Sequence, residues 1–285
     1  MDDRVLATNP ENFENLKSAI AKDGLEKLHV LSDFDRTLLK SFVDGQKSPS
    51  VIAQIRNGKY LSPDYAPRAH ALFDKYHPIE LDPKISREEK SSAMHEWWSE
   101  HFKLLAECGL TKAVMEEIVA EKTIHFREGA LEFIDFLHER NIPLVIMSGA
   151  PGNMVAMYLE QEGRLYDNIH IIATFLEFDA SGKMIGIKEP LIHSLNKYEI
   201  ILKDFPVFQK IKNRHNVLLL GDSLDDVGMV QGFDYKNLLK IGFLNENVGE
   251  NLENFKKTFD VVLTGDPGMD FINNLLKNSS FESYA

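Results

Sequence analysis

The sequence has little of what cross-linked, zinc-bound or membrane-spanning proteins require. Its 285 residues include one cysteine, Cys108, so no intrachain disulfide can form, and the ten histidines show no close metal-ligand spacing. No apolar run approaches the ~20 residues that a membrane-spanning helix needs. The opening MDDRVLATNPENFENL has neither the basic start nor the apolar centre of a secretory signal. We therefore expect a soluble, cytoplasmic protein.

Basic residues are also scarce. Lys and Arg total 32 while Asp and Glu total 44, which gives a formal net charge of −12. Nucleic-acid-binding surfaces are usually basic, and anionic membranes attract basic segments. The charge balance therefore predicts neither partner, and an anionic substrate would need a local cation in the binding site.

Short apolar runs alternate with helix-length amphipathic segments, which predicts an α/β fold. Several runs are continuously apolar, as in parallel strands that are covered on both faces. Residues 175–188 contain two short runs around Asp-Ala-Ser-Gly-Lys and predict a β-hairpin. The other predicted strands are Leu28–Asp33, Pro143–Ser148, Ile169–Thr174, Val217–Asp222, Leu239–Phe243 and Asp260–Leu263.

One long segment interrupts this alternation. Between Leu39 and about Thr123 no comparable strand pattern occurs. A turn cluster at Asp44–Pro49 and a loop around Asn57–Pro67 are predicted there, together with helices near Ala69–Tyr76, Ser86–Glu107 and Lys112–Lys122. Ser86 and Glu89 form a capping-box pattern at the start of the second helix. We interpret residues 42–123 as a helical domain inserted after the first strand, with residues 1–41 and 124–285 forming the core domain.

Polar residues stand at four places where the predicted sheet could bind a ligand. Ligands of open α/β sheets bind beyond the carboxyl ends of the strands, so these residues should converge. The groups are Asp33 with Asp35, Ser148 with Gly149, Lys197, and Asp222 with Asp225 and Asp226.

Each group also has a simpler structural interpretation. An aspartate pair can begin a helix, a serine is a common N-cap, and a lone lysine is usually a solvated surface charge. The three carboxylates after the strand VLLL are harder to explain this way, because they repel one another unless a cation is present. Mg²⁺ is the oxygen-seeking choice for such a cluster.

The order of the motifs is more informative than any motif alone. The sequence has DFDRTL, then Ser148, then Lys197, then GDSLDD, and this order resembles the haloacid dehalogenase superfamily. Its fold is a Rossmann-like parallel sheet with an inserted cap domain, here in the helical form. The segments KYHPIELDP (75–83), MHEWWSEHFKLL (94–105) and LKIGFLNENV (239–248) resemble more narrowly the cytosolic 5′-nucleotidase III family. That family includes pyrimidine 5′-nucleotidases and their 7-methylguanosine-monophosphate relatives, and the resemblance covers roughly residues 10–278.

The resemblance implies Mg²⁺-dependent hydrolysis of nucleoside 5′-monophosphates through an aspartyl-phosphate intermediate. Asp33 would be the nucleophile, and Asp35 would act first as general acid and then as general base. Lys197 would bridge the phosphate and Asp33.

The remaining roles concern the metal and the phosphate. Asp33, the carbonyl of Asp35 and Asp222 would hold Mg²⁺. Asp226 would support the ion indirectly, and the resemblance favours it over Asp225. Ser148 and the Gly149 amide would bind phosphate oxygens.

The nucleobase is expected between cap and core, against Glu80, Trp98 and His101. One of the two adjacent tryptophans, Trp97 or Trp98, is expected to belong to the core of the cap. A carboxylate accepts hydrogen bonds only, so Glu80 predicts good turnover of CMP and 7-methyl-GMP, weaker turnover of UMP and poor turnover of AMP.

Three positions depart from the family pattern. His101 stands where a serine is expected, and Arg36 stands at a position that is usually smaller or apolar. The family's base-contacting asparagine is replaced near Ala53.

Two other classes of function are compatible with parts of this pattern. One is a phosphatase for another small phosphoester or a nucleoside phosphotransferase. The other is a phospho-accepting signalling module, which also uses carboxylates, Mg²⁺ and a lysine. The cap and the second aspartate of DxD argue against the signalling module, which needs neither. The expected partner is a small-molecule nucleoside monophosphate, and the expected state is a monomer.

Overall fold

A mostly parallel sheet organises the protein. The structure is a computed structural model that describes residues 3–197, 205–231 and 234–277. Its strands are β1 (Val5–Ala7), β2 (Leu28–Ser32), β3 (Phe42–Val43), β4 (Gln46–Lys47), β5 (Leu144–Met147), β6 (Ile169–Ile172), β7 (Phe175–Phe178), β8 (Met184–Lys188), β9 (Asn216–Gly221), β10 (Asn237–Leu244) and β11 (Val261–Thr264). Seven of them form one sheet in the order β1-β11-β10-β9-β2-β5-β6. Every neighbouring pair in it is parallel except β1 with β11.

The predicted strands are confirmed. Each of the six begins and ends within two residues of its predicted bounds, and the predicted hairpin is present as the antiparallel pair β7–β8. Alternate residues of β9 belong to different apolar clusters, Leu218 and Leu220 to one and Val217 and Leu219 to the other. Since successive side chains of a strand point to opposite faces, the sheet has an apolar layer on both sides.

The helices cover these two layers and also form most of residues 42–123, the segment between β2 and β5 that is called the inserted segment below. They are α1 (Pro10–Asp23), α2 (Val51–Asn57), α3 (Tyr65–Leu81), α4 (Arg87–Glu107), α5 (Lys112–Ala120), α6 (Ala130–Glu139), α7 (Gly152–Gln161), α8 (Phe208–Ile211), α9 (Val248–Thr258) and α10 (Asp270–Lys277). The capping box before α4 is confirmed, because the Ser86 hydroxyl accepts from the Glu89 amide and the Glu89 carboxylate accepts from the Ser86 amide. Within the described ranges, no helix combines the length and the apolar character needed to cross a membrane.

Backbone contacts connect the inserted segment and its ends to the rest of the protein. Leu39 and Phe126 pair as an antiparallel bridge, so the chain leaves and re-enters the sheet region side by side. The Met184 amide in β8 donates to the Leu110 carbonyl at 2.9 Å, which attaches the β7–β8 hairpin to the turn between α4 and α5. Residues 44–47, predicted as part of the turn cluster Asp44–Pro49, belong to the short hairpin β3–β4, and α3 begins inside the predicted loop.

Candidate active site

A cleft of about 930 Å³ lies at the carboxyl ends of β2, β5 and β9. Helices α2, α3 and α4 of the inserted segment supply its other wall. The structure brings every residue of the predicted site to this cleft: Asp33, Asp35, Glu80, Trp98, His101, Ser148, Gly149, Lys197, Asp222 and Asp226. Convergence at one edge follows from the parallel sheet, whose strands all end there.

The floor of the cleft is a buried ion-pair network around Asp33. Asp33 directly follows β2, its amide donates to the Leu220 carbonyl at 3.0 Å, and the residue is 4% exposed. The Lys197 ammonium donates to Asp33 Oδ1 and, at 3.2 Å, to Asp226 Oδ1. Lys197 is therefore a buried partner of two carboxylates and not a solvated surface charge.

The charged groups of this network shift the pKa values of one another. Burial raises the pKa of Asp33 to about 7; Lys197 opposes this and Asp226 adds to it. Burial alone would lower the pKa of Lys197, but Asp226 and Asp33 outweigh that effect and raise it. Lys197 is consequently a permanent positive charge beside the Asp33 carboxyl.

Three carboxylates at this position form a cluster suited to a cation. One oxygen each of Asp33, Asp222 and Asp226 lie within 4.8 Å of one another. Burial, reinforced by the charges of Asp33 and Asp226, raises the pKa of Asp222 well above its usual range. Oxygen ligands crowded in this way fit a hard divalent ion such as Mg²⁺, which would remove the repulsion between them.

Asp226 is held in this cluster by backbone donors. Its Oδ2 accepts from the amides of Asp222 at 3.1 Å and Ser223 at 3.0 Å. Asp225 is exposed, and it is not part of the carboxylate cluster found among the described residues. The geometry therefore places Asp226, and not Asp225, beside Asp33.

Asp35 connects the sheet to the inserted segment. Its Oδ1 accepts from the amide of Val51, the first residue of α2, at 3.0 Å. Burial raises the pKa of Asp35, and the Val51 hydrogen bond partly opposes the increase. A carboxyl with a raised pKa retains a proton more readily, which suits a general acid.

Ser148 and Gly149 follow β5, which neighbours β2 on the side away from β9. The Ser148 hydroxyl is buried and accepts from the Ala150 amide at 3.1 Å. A Cβ at Gly149 would meet no atom closer than the Ser194 amide nitrogen at 3.9 Å, and Gly149 lines the cleft, so its backbone is open there. A hydroxyl and an open backbone at the start of α7 can receive an anion.

Glu80 lies farther up the cleft, where the inserted segment meets the loop that carries Lys197. Its Oε1 accepts from the Ser194 hydroxyl at 2.7 Å, and its Oε2 lies 3.3 Å from His77 Nδ1. Both Glu80 oxygens therefore have partners within the protein, whereas the sequence analysis expected the donors to come from the nucleobase. Sequence reasoning missed Ser194, because no pattern near it indicates a contact with α3.

The aromatic wall comes from α4. The Trp98 ring stacks on Trp97 at a centroid distance of 5.8 Å and on His101 at 5.9 Å. Trp97 is 6% exposed and packs in an apolar cluster with Tyr76, whereas Trp98 is less buried. Trp97 therefore takes the inner position of the pair, although one part of it still lines the cleft.

His101 is a buried part of this aromatic wall. It is 2% exposed, and its Nε2 lies 3.0 Å from the Tyr65 hydroxyl. Burial lowers the pKa of His101 to about 4, with a smaller contribution from Arg56, so the ring is neutral at neutral pH. Arg56 itself lines the cleft and was not among the predicted site residues.

Comparisons with known proteins agree with this arrangement. Residues 36–279 match the family model described as pyrimidine 5′-nucleotidase (UMPH-1). The 7-methylguanosine phosphate-specific 5′-nucleotidase A of Xenopus laevis is 37% identical over 276 residues, which cover 96% of this chain and 95% of the relative. The 7-methylguanosine phosphate-specific 5′-nucleotidase of Mus musculus is 36% identical over 279 residues, covering 98% of this chain and 93% of the relative.

Solved structures also include a 5′-nucleotidase with a very similar fold. The structure of cytosolic 5′-nucleotidase IIIB bound to cytidine has a TM-score of 0.91 and 29% identity, covering 99% of this chain and 95% of that one. More distant phosphatases of the haloacid dehalogenase type share the fold. A family match across most of the sequence, together with relatives above 30% identity over nearly their whole length, shows that the chain belongs to the pyrimidine 5′-nucleotidase family and is a phosphoric monoester hydrolase of the 5′-nucleotidase class.

Proposed function

We propose that the protein hydrolyses nucleoside 5′-monophosphates, of pyrimidine nucleosides or of 7-methylguanosine, with Mg²⁺ and through an aspartyl-phosphate intermediate. The observation that carries the proposal is the buried Asp33 carboxylate, held by Lys197 beside Asp222 and Asp226 at the floor of the cleft. Relatives named for 7-methylguanosine phosphate and a related structure that binds cytidine support the two nucleoside classes.

The first half of the reaction would form the covalent intermediate. Lys197 holds Asp33 Oδ1, which leaves Oδ2 to attack phosphorus. Asp35 would give its proton to the departing 5′ oxygen of the nucleoside. Ser148, the Gly149 amide and Lys197 would bind the phosphate oxygens as their charge redistributes.

The second half would use Asp35 in the opposite sense. As a carboxylate it would take a proton from the water that attacks the aspartyl phosphate, which releases phosphate and restores Asp33. One residue can serve both halves, because each half leaves it in the protonation state that the other requires.

The metal proposal follows from the donor set. Asp33, Asp222 and the backbone carbonyl of Asp35 would hold Mg²⁺, and Asp226 would support the cluster through Lys197 and the two amides it binds. When bound, the ion neutralises carboxylate and phosphate charge at the reacting centre.

The domain division is proposed on the same grounds. Residues 42–123 would act as a cap that carries Glu80, Trp98 and His101 over a core formed by residues 1–41 and 124–285. The side-by-side backbone at Leu39 and Phe126 supports these boundaries. Positions 1–2, 198–204, 232–233 and 278–285 of the core range lie outside the described residues. The monomeric state and the cytoplasmic location stay predictions.

The test measures phosphate release from CMP, UMP, 7-methyl-GMP, GMP and AMP, with Mg²⁺ and with excess chelator. We expect nucleotide-dependent release that the chelator abolishes. Asp33→Asn should abolish turnover, because an amide is not a nucleophile toward phosphorus, while Asp167→Asn, at an exposed position outside the cleft, should not. Circular dichroism checks that both variants fold.

Beryllofluoride, which mimics a phosphoryl group, should bind at Asp33 and increase the thermal stability of the wild type but not of Asp33→Asn. Nucleotide hydrolysis by folded Asp33→Asn, or full activity in the chelator, would contradict the proposed mechanism.

A further inference from the structure

One positive charge in the cleft is not used by the proposed mechanism. Arg56 projects from α2 and lines the cleft together with Phe73, Trp97 and His101. Its guanidinium carbon lies 4.3 Å from the centre of the Phe73 ring. The described part of the chain offers the guanidinium no hydrogen bond, and Arg56 Nε is buried without a partner.

A second donor near Arg56 is also unused. The Trp97 Nε1 atom is buried and, among the described residues, has no hydrogen-bond acceptor, although Trp97 lines the cleft. Both atoms are shielded from the cleft, so a ligand with acceptors would pair with the terminal nitrogens of the Arg56 guanidinium, which lines the cleft.

Glu80 shows the opposite situation. Both of its oxygens already have partners, Ser194 and His77. The neutral ring of His101 adds no charge. Each Glu80 oxygen can still accept a further hydrogen bond, so the feature that distinguishes Arg56 is a charged donor group with no hydrogen bond among the described residues.

We propose that Arg56 is a specificity-determining residue that reads paired acceptor atoms on the nucleobase and disfavours a cationic base. The inference rests on the proposed function and assigns a preference within it. It ranks CMP above 7-methyl-GMP, two substrates that Glu80 alone does not separate.

The chemistry of the bases supports this ranking. Arginine presents a planar fork that binds two adjacent acceptors. Cytosine has such a pair in O2 and N3, and unmodified guanine has one in O6 and N7. In 7-methylguanine the methyl group blocks N7 and the ring carries a positive charge, so both the hydrogen bond and the charge oppose Arg56. Adenine places a donor beside N7, which interrupts the acceptor pair.

The experiment compares kcat/KM for CMP and for 7-methyl-GMP in the wild type, Arg56→Gln and Arg56→Lys. Arg56→Gln should lower kcat/KM for CMP by roughly 10- to 100-fold, as expected for a lost hydrogen bond to a charged group. It should raise kcat/KM for 7-methyl-GMP, so the ratio of the two substrates falls by more than tenfold. Arg56→Lys keeps the charge without the fork and should give an intermediate ratio.

Two controls isolate the effect. p-Nitrophenyl phosphate carries no base, so comparing its hydrolysis with that of the nucleotides separates an effect on base recognition from an effect on the phosphate site, and circular dichroism reports that Arg56→Gln is folded. Arg68→Gln removes an exposed arginine of α3 that is paired with Asp64 and Glu107 outside the cleft, and should leave the substrate ratio unchanged.

Two results would overturn the inference. One is an unchanged ratio of kcat/KM for CMP and 7-methyl-GMP in folded Arg56→Gln. The other is a wild type that prefers 7-methyl-GMP to CMP. Failure of the proposed function would look different, because the wild type would then release phosphate from none of the nucleotides.

Discussion

Asp35 must give up and regain a proton in each proposed catalytic cycle, and its surroundings suit that exchange. Asp35→Asn should lower kcat by about 10²–10⁴, because an amide can neither protonate the departing nucleoside nor activate water. The amide oxygen can still accept from the Val51 amide, so the start of α2 should be preserved. Steady-state kinetics on CMP measure the effect, and thermal unfolding is the control. A folded variant with kcat within tenfold of the wild type would contradict the assignment.

Individual site residues differ in how well the sequence could predict them. Asp33, Ser148 and Asp222 each follow a buried, mostly apolar strand, so local pattern and fold class together indicate that they converge. Lys197 lies 164 positions from its partner Asp33, and only the order of the motifs pointed to it. Arg56 had neither signal, because its importance depends on which groups surround it and on which of them leave it unpaired.

Elements of the sheet were predictable for a physical reason that some other elements lack. Parallel central strands are buried on both faces and therefore appear as continuous apolar runs. β1 is three residues long, is only partly buried and pairs with β11 from the far end of the chain. α2 spans seven residues, of which Val51–Ile55 are all buried, so it shows no amphipathic period.

Gly221, the last residue of β9, is required where this strand meets the carboxylate cluster. A Cβ at this position would lie 2.5 Å from the Cβ and 2.6 Å from Oδ2 of Asp226. That carboxylate cannot easily move, because Lys197 and the amides of Asp222 and Ser223 hold it. Gly221→Ala should therefore displace Asp226, lower the free energy of unfolding by ~1–3 kcal/mol and lower kcat at least tenfold.

Urea unfolding and a Mg²⁺ titration of activity measure these effects, and the Mg²⁺ concentration at half-maximal activity should increase. Gly186→Ala is the matched control, because a Cβ at Gly186 in β8 meets nothing within 4 Å. Equal behaviour of the two alanine variants would show that close approach at Gly221 does not position Asp226.

At the scale of the whole molecule, the negative net charge opposes the binding of an anionic substrate in the cleft. A protein with a net charge of −12 repels a nucleotide dianion at long range. Lys197 does not solve this by itself, because it already lies between two carboxylates. A bound divalent cation would supply the missing positive charge at the phosphate, and Arg56 would supply it at the base. The carboxylate cluster follows strands of the sheet and Arg56 belongs to α2, and both line one cleft, so both requirements depend on the position of α2 relative to the sheet.

The stability of the whole molecule should decrease in acid partly through its buried histidines. Burial lowers the pKa of His101 and of His193 to about 4, whereas an unfolded histidine titrates near ~6.5. Above that pH neither state binds the proton, so these residues leave the stability unchanged. Between pH ~6.5 and 4 only the unfolded chain is protonated, so each residue lowers the free energy of unfolding by up to ~1.4 kcal/mol per pH unit. Asp33 acts in the opposite direction, because its raised pKa lets the folded state bind a proton first.

His101→Gln separates one of these contributions from the rest of the acid response. Glutamine offers Tyr65 a hydrogen-bonding partner but does not titrate. Urea unfolding of the wild type and the variant in chelator, at pH 7.5, 5.5 and 4.5, gives the difference between their free energies of unfolding. That difference should favour the wild type most at pH 7.5 and should shrink by about 2 kcal/mol at pH 4.5. His125→Gln, at an exposed position, is the matched control. If the difference for His101→Gln is constant across the series, His101 binds its proton equally in both states and its burial does not destabilise the charged ring.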